Sequence, residues 1–306
     1  KSFEEALAIK PDYIEVCYNL GVTLKELNQL DAAVKCYKKA LILKPDYAEA
    51  HNNLGNAFKE LGQMDEAVKS YEQAIALKPG FADAHYNLGL TLKELGQHDD
   101  AVKSYKQALA IKPDFAEVHN NLGVTLKKLG QLNTAVKCYG KALAIKPDFA
   151  EVYSNLGLTL QDLGQLDEAL ISYESAITLK PNIDFILGNS LHIKMHLCLW
   201  DDLAKYLDES TNKINNGEKA IVPFQMLALI DDPKIQRKTS EIYANHKCPQ
   251  NYILSKIERY PKHKKIRIGY FSADFREHPV ATLTAELYEV HDRSQFEIYG
   301  FSFGIG

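Results

Sequence analysis

Residues 48–81, AEAHNNLGNAFKELGQMDEAVKSYEQAIALKPGF, contain a pattern that recurs along most of the chain. Prolines follow one another at intervals of 34 residues, at Pro11, Pro45, Pro79, Pro113, Pro147 and Pro181. The same interval separates copies of Asn-Leu-Gly, at residues 19–21, 53–55, 87–89, 121–123 and 155–157. A fixed period of this length is typical of a protein built from stacked structural repeats.

Each repeat predicts two helices. Apolar positions recur at helical spacing in both halves: Leu54, Gly55 and Phe58, then Ala67, Tyr71 and Ala74. Gly62 can end the first helix in a left-handed conformation, and Lys-Pro can end the second. The glycine of Asn-Leu-Gly allows a neighbouring helix to approach closely. We expect Asp and Asn side chains to cap the helices that follow these turns, namely Asp65, Asp99, Asn133, Asp167, Asp46, Asp114, Asp148 and Asn182.

The spacing of Leu-Gly, Ala-x-x-x-Tyr and Pro resembles the tetratricopeptide repeat, with tyrosine in place of its usual phenylalanine. Five complete repeats occupy residues 14–183, and residues 1–13 resemble the second half of another. The resemblance implies a mostly α-helical, right-handed superhelix over residues 1–183. We therefore expect the sequence to begin inside a repeat.

The asparagines of Asn-Leu-Gly form a ladder that apolar packing does not explain. Asparagine is a mediocre helix former, yet it recurs at Asn19, Asn53, Asn87, Asn121, Asn155 and Asn189. Stacked repeats would align these amides on the inner side of the superhelix, where they could bind the backbone of an extended peptide. The alternatives are inheritance by duplication, or an inter-repeat hydrogen bond that only orders the stack.

Several other residue patterns receive structural interpretations. Flanking acidic residues such as Glu49 and Glu60 make the groove a poor receptor for acidic C-terminal tails. His51, His85 and His119 are expected to pack at a repeat interface. His192 and His196 have the spacing of a metal-binding pair but no third ligand nearby, so no metal site is predicted.

Composition excludes several classes of protein. The 306 residues carry a net charge of −4, and the one short basic stretch does not form a nucleic-acid surface. No apolar run approaches the length of a membrane span. Five cysteines without a Cys-x-x-Cys pair favour a reducing, cytoplasmic location. The oligomeric state stays undetermined.

The period fades after Pro181. Residues 184–260 predict a degenerate capping repeat followed by a helical connector. In residues 261–306, the segments 265–271 and 296–303 predict strands, and Pro279 suits the start of a helix between them. This βαβ pattern opens a Rossmann-like domain, in which ligands bind beyond the carboxyl ends of the strands. His278 lies in that loop.

Residues 269–279, GYFSADFREHP, resemble the start of the catalytic domain of protein O-linked N-acetylglucosamine transferases and their SPINDLY-like relatives. Cys198-Leu-Trp-Asp-Asp resembles another of their segments, with leucine in place of an aspartate. That family implies a GT-B-type enzyme that moves N-acetylglucosamine from UDP-GlcNAc to serine or threonine without a metal or other cofactor. It also implies acceptor proteins bound along the asparagine-lined groove, and an active-site position for His278.

Two alternatives stay open. One is a related transferase with another donor such as GDP-fucose, and the other is a non-catalytic scaffold for protein interactions. Because the sequence stops one βαβ unit into the catalytic domain, we expect residues 1–306 alone to be inactive.

Overall fold

A computed structural model describes residues 13–248, 265–272 and 292–302. The chain divides into two compact units, residues 1–249 and residues 250–306. Where sequence predictions fall between the described ranges, as for His278 and the helix after Pro279, they lie outside the described residues.

Consecutive helices of the first unit pack in five pairs, one pair for each predicted repeat. The first helices have 13 residues each: α1 (Ile14–Glu26), α3 (Ala48–Glu60), α5 (Ala82–Glu94), α7 (Ala116–Lys128) and α9 (Ala150–Asp162). The second helices have 14 residues each: α2 (Leu30–Leu43), α4 (Met64–Leu77), α6 (His98–Ile111), α8 (Leu132–Ile145) and α10 (Leu166–Leu179). The predicted repeat architecture is confirmed.

A fully buried tyrosine in each second helix packs against the glycine of Asn-Leu-Gly. These tyrosines are Tyr37, Tyr71, Tyr105, Tyr139 and Tyr173. A Cβ atom added to Gly123 would lie only 2.6 Å from Tyr139 Cε1. Any side chain at that position would overlap the ring, so the close approach requires glycine despite its cost of about 1 kcal/mol in a helix. The predicted packing role of this glycine is confirmed.

Glycine and Lys-Pro end the helices as predicted. The first helices of four repeats are followed by a glycine with φ between +75° and +79°: Gly62, Gly96, Gly130 and Gly164. In the first repeat Asn28 takes the same place, with φ +59°. The second helices end at the lysine of Lys-Pro, since proline cannot continue the helix.

The predicted capping by Asp and Asn is wrong. The N-cap residues of the second helices are glutamines, and those of α3, α5, α7 and α9 are aromatic, without a side-chain capping bond. Asp65 lies inside the first turn of α4. There its charge favours the positive end of the helix dipole instead of completing a cap. The second helices therefore start two residues earlier than expected, whereas α3, α7 and α9 start one residue later than expected.

Four further helices close the array: α11 (Ile186–His196), α12 (Leu203–Asn215), α13 (Pro223–Leu227) and α14 (Pro233–Lys247). On α11, Ile186 and Ile193 join the apolar cluster around Tyr173. Leu187 and Leu191 of the same helix join a second cluster, with Ile214 and Met226. Because α11 contributes to both cores, it covers the apolar end of the last repeat, as a capping repeat must.

In the second unit, β1 (Ile266–Ser272) and β2 (Phe296–Ser302) form a parallel pair. Ile266 pairs with Phe296, and Ser272 with Ser302. Arg267 Nε donates to Glu297 Oε2 across the pair at 2.8 Å. Parallel neighbours need a crossover connection instead of a hairpin, which agrees with the predicted βαβ unit.

Candidate functional site

The asparagines of Asn-Leu-Gly lie at the same place in five equivalent helices. Each is the sixth residue of the first helix of its repeat. First helices of neighbouring repeats contact each other directly, from α1 through α9, and contacts between successive second helices are less extensive. The stack therefore curves toward the first helices, which line its inner side together with their asparagines.

Hydrogen bonds between repeats join these asparagines to the residue 35 positions earlier. Asn53 Nδ2 donates to Tyr18 Oη at 2.8 Å, and Asn121 Nδ2 donates to Tyr86 Oη at 3.1 Å. At the alternate junctions the acceptor is an amide oxygen: Asn87 Nδ2 donates to Asn52 Oδ1 at 3.1 Å, and Asn155 Nδ2 to Asn120 Oδ1 at 3.0 Å. The ladder therefore orders the stack.

This structural role does not use all the hydrogen-bonding capacity of the amides. A side-chain amide has two N–H donors and an oxygen with two lone pairs, and the inter-repeat bond uses one donor. Asn53, Asn87 and Asn155 are half-buried, so their amides reach the inner surface. Ordering the stack and binding a peptide are thus compatible functions, and peptide binding stays a prediction.

The ladder changes at its two ends. Asn19 is exposed, and its backbone carbonyl accepts from Thr23 Oγ1 at 3.0 Å. Asn189, on α11, accepts from Gln225 Nε2 at 3.4 Å. The partner of Asn189 thus comes from the closing helices and not from the preceding repeat.

Lysines neutralise most of the carboxylates that flank the ladder. Near the ends of the first helices, three ion pairs cross from one repeat to the next: Lys25–Glu60 at 2.9 Å, Lys59–Glu94 at 2.8 Å and Lys127–Asp162 at 3.1 Å. At the starts of these helices, the pairs are Glu49–Lys78, Glu117–Lys146 and Glu151–Lys180. The hydrogen bonds from Lys78 and Lys180 lower the pKa values of Glu49 and Glu151. The groove is therefore less acidic than its sequence indicates.

The histidines of the repeats have structural partners. Nε2 of His51, His85 and His119 lies 3.0–3.1 Å from the carbonyl oxygens of Pro45, Pro79 and Pro113, respectively. These bonds tie the first helix to the preceding Lys-Pro turn. The predicted packing role is confirmed, with a hydrogen bond added to it.

His192 and His196 face each other on α11. Their Nε2 atoms are 3.2 Å apart, and burial together with the charge of His196 lowers the pKa of His192. Within the described parts of the chain, no group of three His, Cys, Asp or Glu side chains could hold a metal ion. In those same parts, no helix has the length and apolarity needed to cross a membrane.

Sequence analysis missed two sets of residues at this site. One is the set of hydrogen-bond acceptors for the ladder, Tyr18, Asn52, Tyr86 and Asn120. The other is the set of lysines that pair across repeats, Lys25, Lys59 and Lys127. Both pairings join residues 35 positions apart, one more than the period. A search for complementary side chains at that spacing would have found them.

Models of known families match both the repeat array and the C-terminal segment of the chain. The family model described as TPR repeat matches residues 23–62, 55–96, 90–130 and 125–164, and the Tetratricopeptide repeat model matches residues 150–183. Together these matches cover residues 23–183, more than half of the 306. The chain is therefore a tetratricopeptide-repeat protein. Residues 237–305 match the model of a different family, Glycosyl transferase family 41.

A curated relative is named as a glycosyltransferase. Over 130 residues the chain is 30% identical to the probable UDP-N-acetylglucosamine–peptide N-acetylglucosaminyltransferase SEC of Arabidopsis thaliana. The match covers 37% of this chain and 13% of that relative. The chain thus spans only a small part of that protein's length.

Solved structures resemble the repeat array. MamA is 26% identical, with a TM-score of 0.51, and the match covers 53% of this chain and 94% of MamA. YrrB, described as a TPR protein with an unusual peptide-binding site, is 25% identical, with a TM-score of 0.53. That match covers 64% of this chain and 98% of YrrB.

Proposed function

We propose that the repeat array is the polypeptide-recognition arm of a protein O-linked N-acetylglucosamine transferase. The ladder of half-buried amides on the inner side of the first helices carries this proposal. The position of the array supports it, because residues 237–305, which match glycosyl transferase family 41, lie on its C-terminal side in the sequence. In this proposal the inner side holds the acceptor protein, and no nucleic acid or membrane takes part.

The geometry of the stack suits an extended polypeptide. Packed helices lie about 8–10 Å apart, and an extended chain rises about 3.3 Å per residue. One asparagine would therefore meet about every third residue of the bound chain. Amides that pair with backbone N–H and C=O groups do not distinguish side chains, so the array would accept many different proteins.

The decisive experiment separates the binding role of the amides from their structural role. The binding variant is Asn53→Ala/Asn121→Ala. The matched control is Tyr18→Phe/Tyr86→Phe, which removes the hydroxyl acceptors of the same two inter-repeat bonds and keeps the amides. The probe is a pool of fluorescein-labelled 15-residue peptides of Ser, Thr, Ala and Val.

We expect the asparagine variant to bind the pool at least about tenfold more weakly, the equivalent of two lost hydrogen bonds. The tyrosine variant should keep most of its affinity. Equal weakening in both variants would show that the amides act only through the order of the stack. Unchanged affinity in the asparagine variant would contradict the proposal outright.

For the chemistry, we propose that the whole protein uses UDP-GlcNAc without a metal ion or other cofactor, with His278 in the active site. The name of the Arabidopsis thaliana relative supports this donor. The five cysteines are all unpaired, which supports a reducing, cytoplasmic location.

Transfer of radiolabelled sugar to Ser- and Thr-containing peptides tests the donor. The whole protein is incubated with UDP-N-acetylglucosamine or GDP-fucose, with His278→Ala as the control. Transfer from the first donor, lost in the control, is expected. Transfer from GDP-fucose would assign the protein to the alternative transferase, and transfer from neither donor would favour a scaffold.

A further inference from the structure

A regular row of cross-repeat ion pairs is interrupted at one junction. The lysine near the end of each first helix pairs with a carboxylate 35 residues later at three junctions, Lys25–Glu60, Lys59–Glu94 and Lys127–Asp162. At the junction of the third and fourth repeats, the lysine is Lys93 and the residue 35 positions later is Lys128. Lysines thus occupy both positions of this junction, where the other junctions have a lysine and a carboxylate.

Lys93 has no carboxylate partner within ion-pair distance among the described residues. Its Nζ donates instead to Asn121 Oδ1 at 3.0 Å. The neighbouring Glu94 is bound to Lys59 at 2.8 Å. Burial, with the charges of Lys59 and Lys128, lowers the pKa of Lys93, and Glu94 opposes this in part. The half-buried ammonium group therefore lacks the counterion that its three counterparts have.

The three occupied junctions show where such a counterion would lie. At one of these junctions, the carboxylate bound to Lys59 belongs to Glu94, 35 residues later in the sequence. In the same arrangement, a carboxylate bound to Lys93 would lie where Lys128 lies. Lys93 is on α5 and Asn121 on α7, and both helices line the inner side of the array. A polypeptide held there by the asparagine ladder can therefore bring an acidic side chain to this junction.

We propose that the junction of the third and fourth repeats binds an aspartate or glutamate of the polypeptide held in the groove, through Lys93 and Lys128. The inference rests on the proposed polypeptide-binding function. When the acid pairs with Lys93, Asn121 Oδ1 loses its lysine donor and becomes available to a backbone N–H of the same peptide. The junction thus adds selectivity to a ladder that does not distinguish side chains.

The test uses two fluorescein-labelled 15-residue peptides of Ser, Thr, Ala and Val that differ only at the central residue, Glu or Gln. The full chain should bind the Glu peptide about fivefold more tightly at low salt, as expected for a partly exposed ion pair. High salt should reduce this preference because it screens exposed charges.

The Lys128→Glu variant restores the residue found at two sister junctions and supplies Lys93 with an internal counterion. We expect this variant to bind both peptides alike and to unfold at no lower temperature than the original chain. Lys137→Glu, the same charge change at an exposed position of a second helix, should keep the preference.

The outcomes separate this inference from the function on which it rests. If the Glu and Gln peptides bind equally well, and both binding events are lost in Asn53→Ala/Asn121→Ala, the acidic subsite is wrong and the groove still binds peptides. If the preference survives in Lys128→Glu, the subsite is also wrong. If neither peptide binds the full chain, both proposals fail.

Discussion

Four of the repeats and the closing helix α11 end a helix with the same turn made from different residues. In the second to fifth repeats the second residue after the first helix is glycine, as at Gly62, whose N–H donates to Lys59 O at 3.0 Å. At the end of α11 this residue is Cys198, whose N–H donates to Met195 O at 3.1 Å, with φ +56°. A residue other than glycine costs about 1 kcal/mol in this conformation. These four repeats thus adopt the turn without strain, whereas α11 keeps the strain that the side chain of Cys198 adds.

The two regions also hold their neighbours differently. Repeats join through side chains that recur at every junction, such as Asn53 with Tyr18. The helix α11 is held by backbone bonds from the connector: Phe185 N–H to Lys219 O at 2.6 Å and Gly188 N–H to Ala220 O at 3.0 Å. The side-chain bonds between repeats can be tested at one junction and compared with another. The backbone bonds to α11 have no such equivalent elsewhere in the described residues.

The largest expected effect tests the glycine–tyrosine contact of the repeats. Gly123→Ala should lower the free energy of unfolding by about 2 kcal/mol, because the new methyl group would overlap the fully buried ring of Tyr139. Urea denaturation measures the loss.

Gly140→Ala is the matched control, since Gly140 is an exposed residue of α8 with no atom near its missing Cβ. There alanine should stabilise the chain by up to about 1 kcal/mol through its higher helix propensity. If both substitutions act alike, the contact with Tyr139 is not what requires glycine.

Exchange of the turn residues sharpens the comparison between the regions. Gly164→Ala should lower the free energy of unfolding by about 1 kcal/mol, because open space surrounds Gly164 and only its φ of +76° opposes a side chain. Cys198→Gly should raise it by about 0.5 kcal/mol, since glycine removes the strain but adds freedom to the unfolded chain. Opposite signs in thermal unfolding are the expected result, and equal signs would refute it.

A smaller difference in stability is expected between removing the hydroxyl group of Tyr71 and removing that of Tyr37. Tyr71 Oη donates to Asn56 Oδ1 at 2.8 Å, whereas the buried hydroxyl of Tyr37 has no partner among the described residues. Tyr71→Phe should cost about 1 kcal/mol because it leaves the Asn56 oxygen without its donor. Tyr37→Phe should be neutral or slightly stabilising in the same urea titrations. An equal loss in both variants would contradict this assignment.

The smallest expected effect is the contribution of His119 to the pH dependence of stability. Burial, with the charge of Lys141, lowers the pKa of His119, although its bond to the Pro113 carbonyl opposes the shift. The unfolded chain therefore binds a proton more readily, and stability falls as the pH drops from about 7.5 to about 5.5. His119→Gln should flatten this dependence in thermal unfolding. A slope equal to that of the original chain would show that other groups cause it.

Sequence predicted the repeats more fully than it predicted the site. The 34-residue period placed ten helices, because apolar residues recur at helical spacing within each half of a repeat, as Leu54 and Phe58 do. The glycine turns were also predictable, since a left-handed residue favours glycine. The helix caps were not predictable in this way. The turn at Gly62 lets α4 start at Met64, so Asp65 lies inside the helix and cannot cap it.

By itself, the sequence determined which residues repeat, since helical periodicity, left-handed turns and proline breaks are local properties of the chain. Only the tertiary structure decided that Asn121 bonds to Tyr86 and that lysines neutralise the flanking acids. It also decided that Lys93 Nζ donates to Asn121 Oδ1 instead of to a carboxylate. These outcomes depend on how one repeat stacks on the next, which fixes a spacing of 35 residues that no single repeat contains.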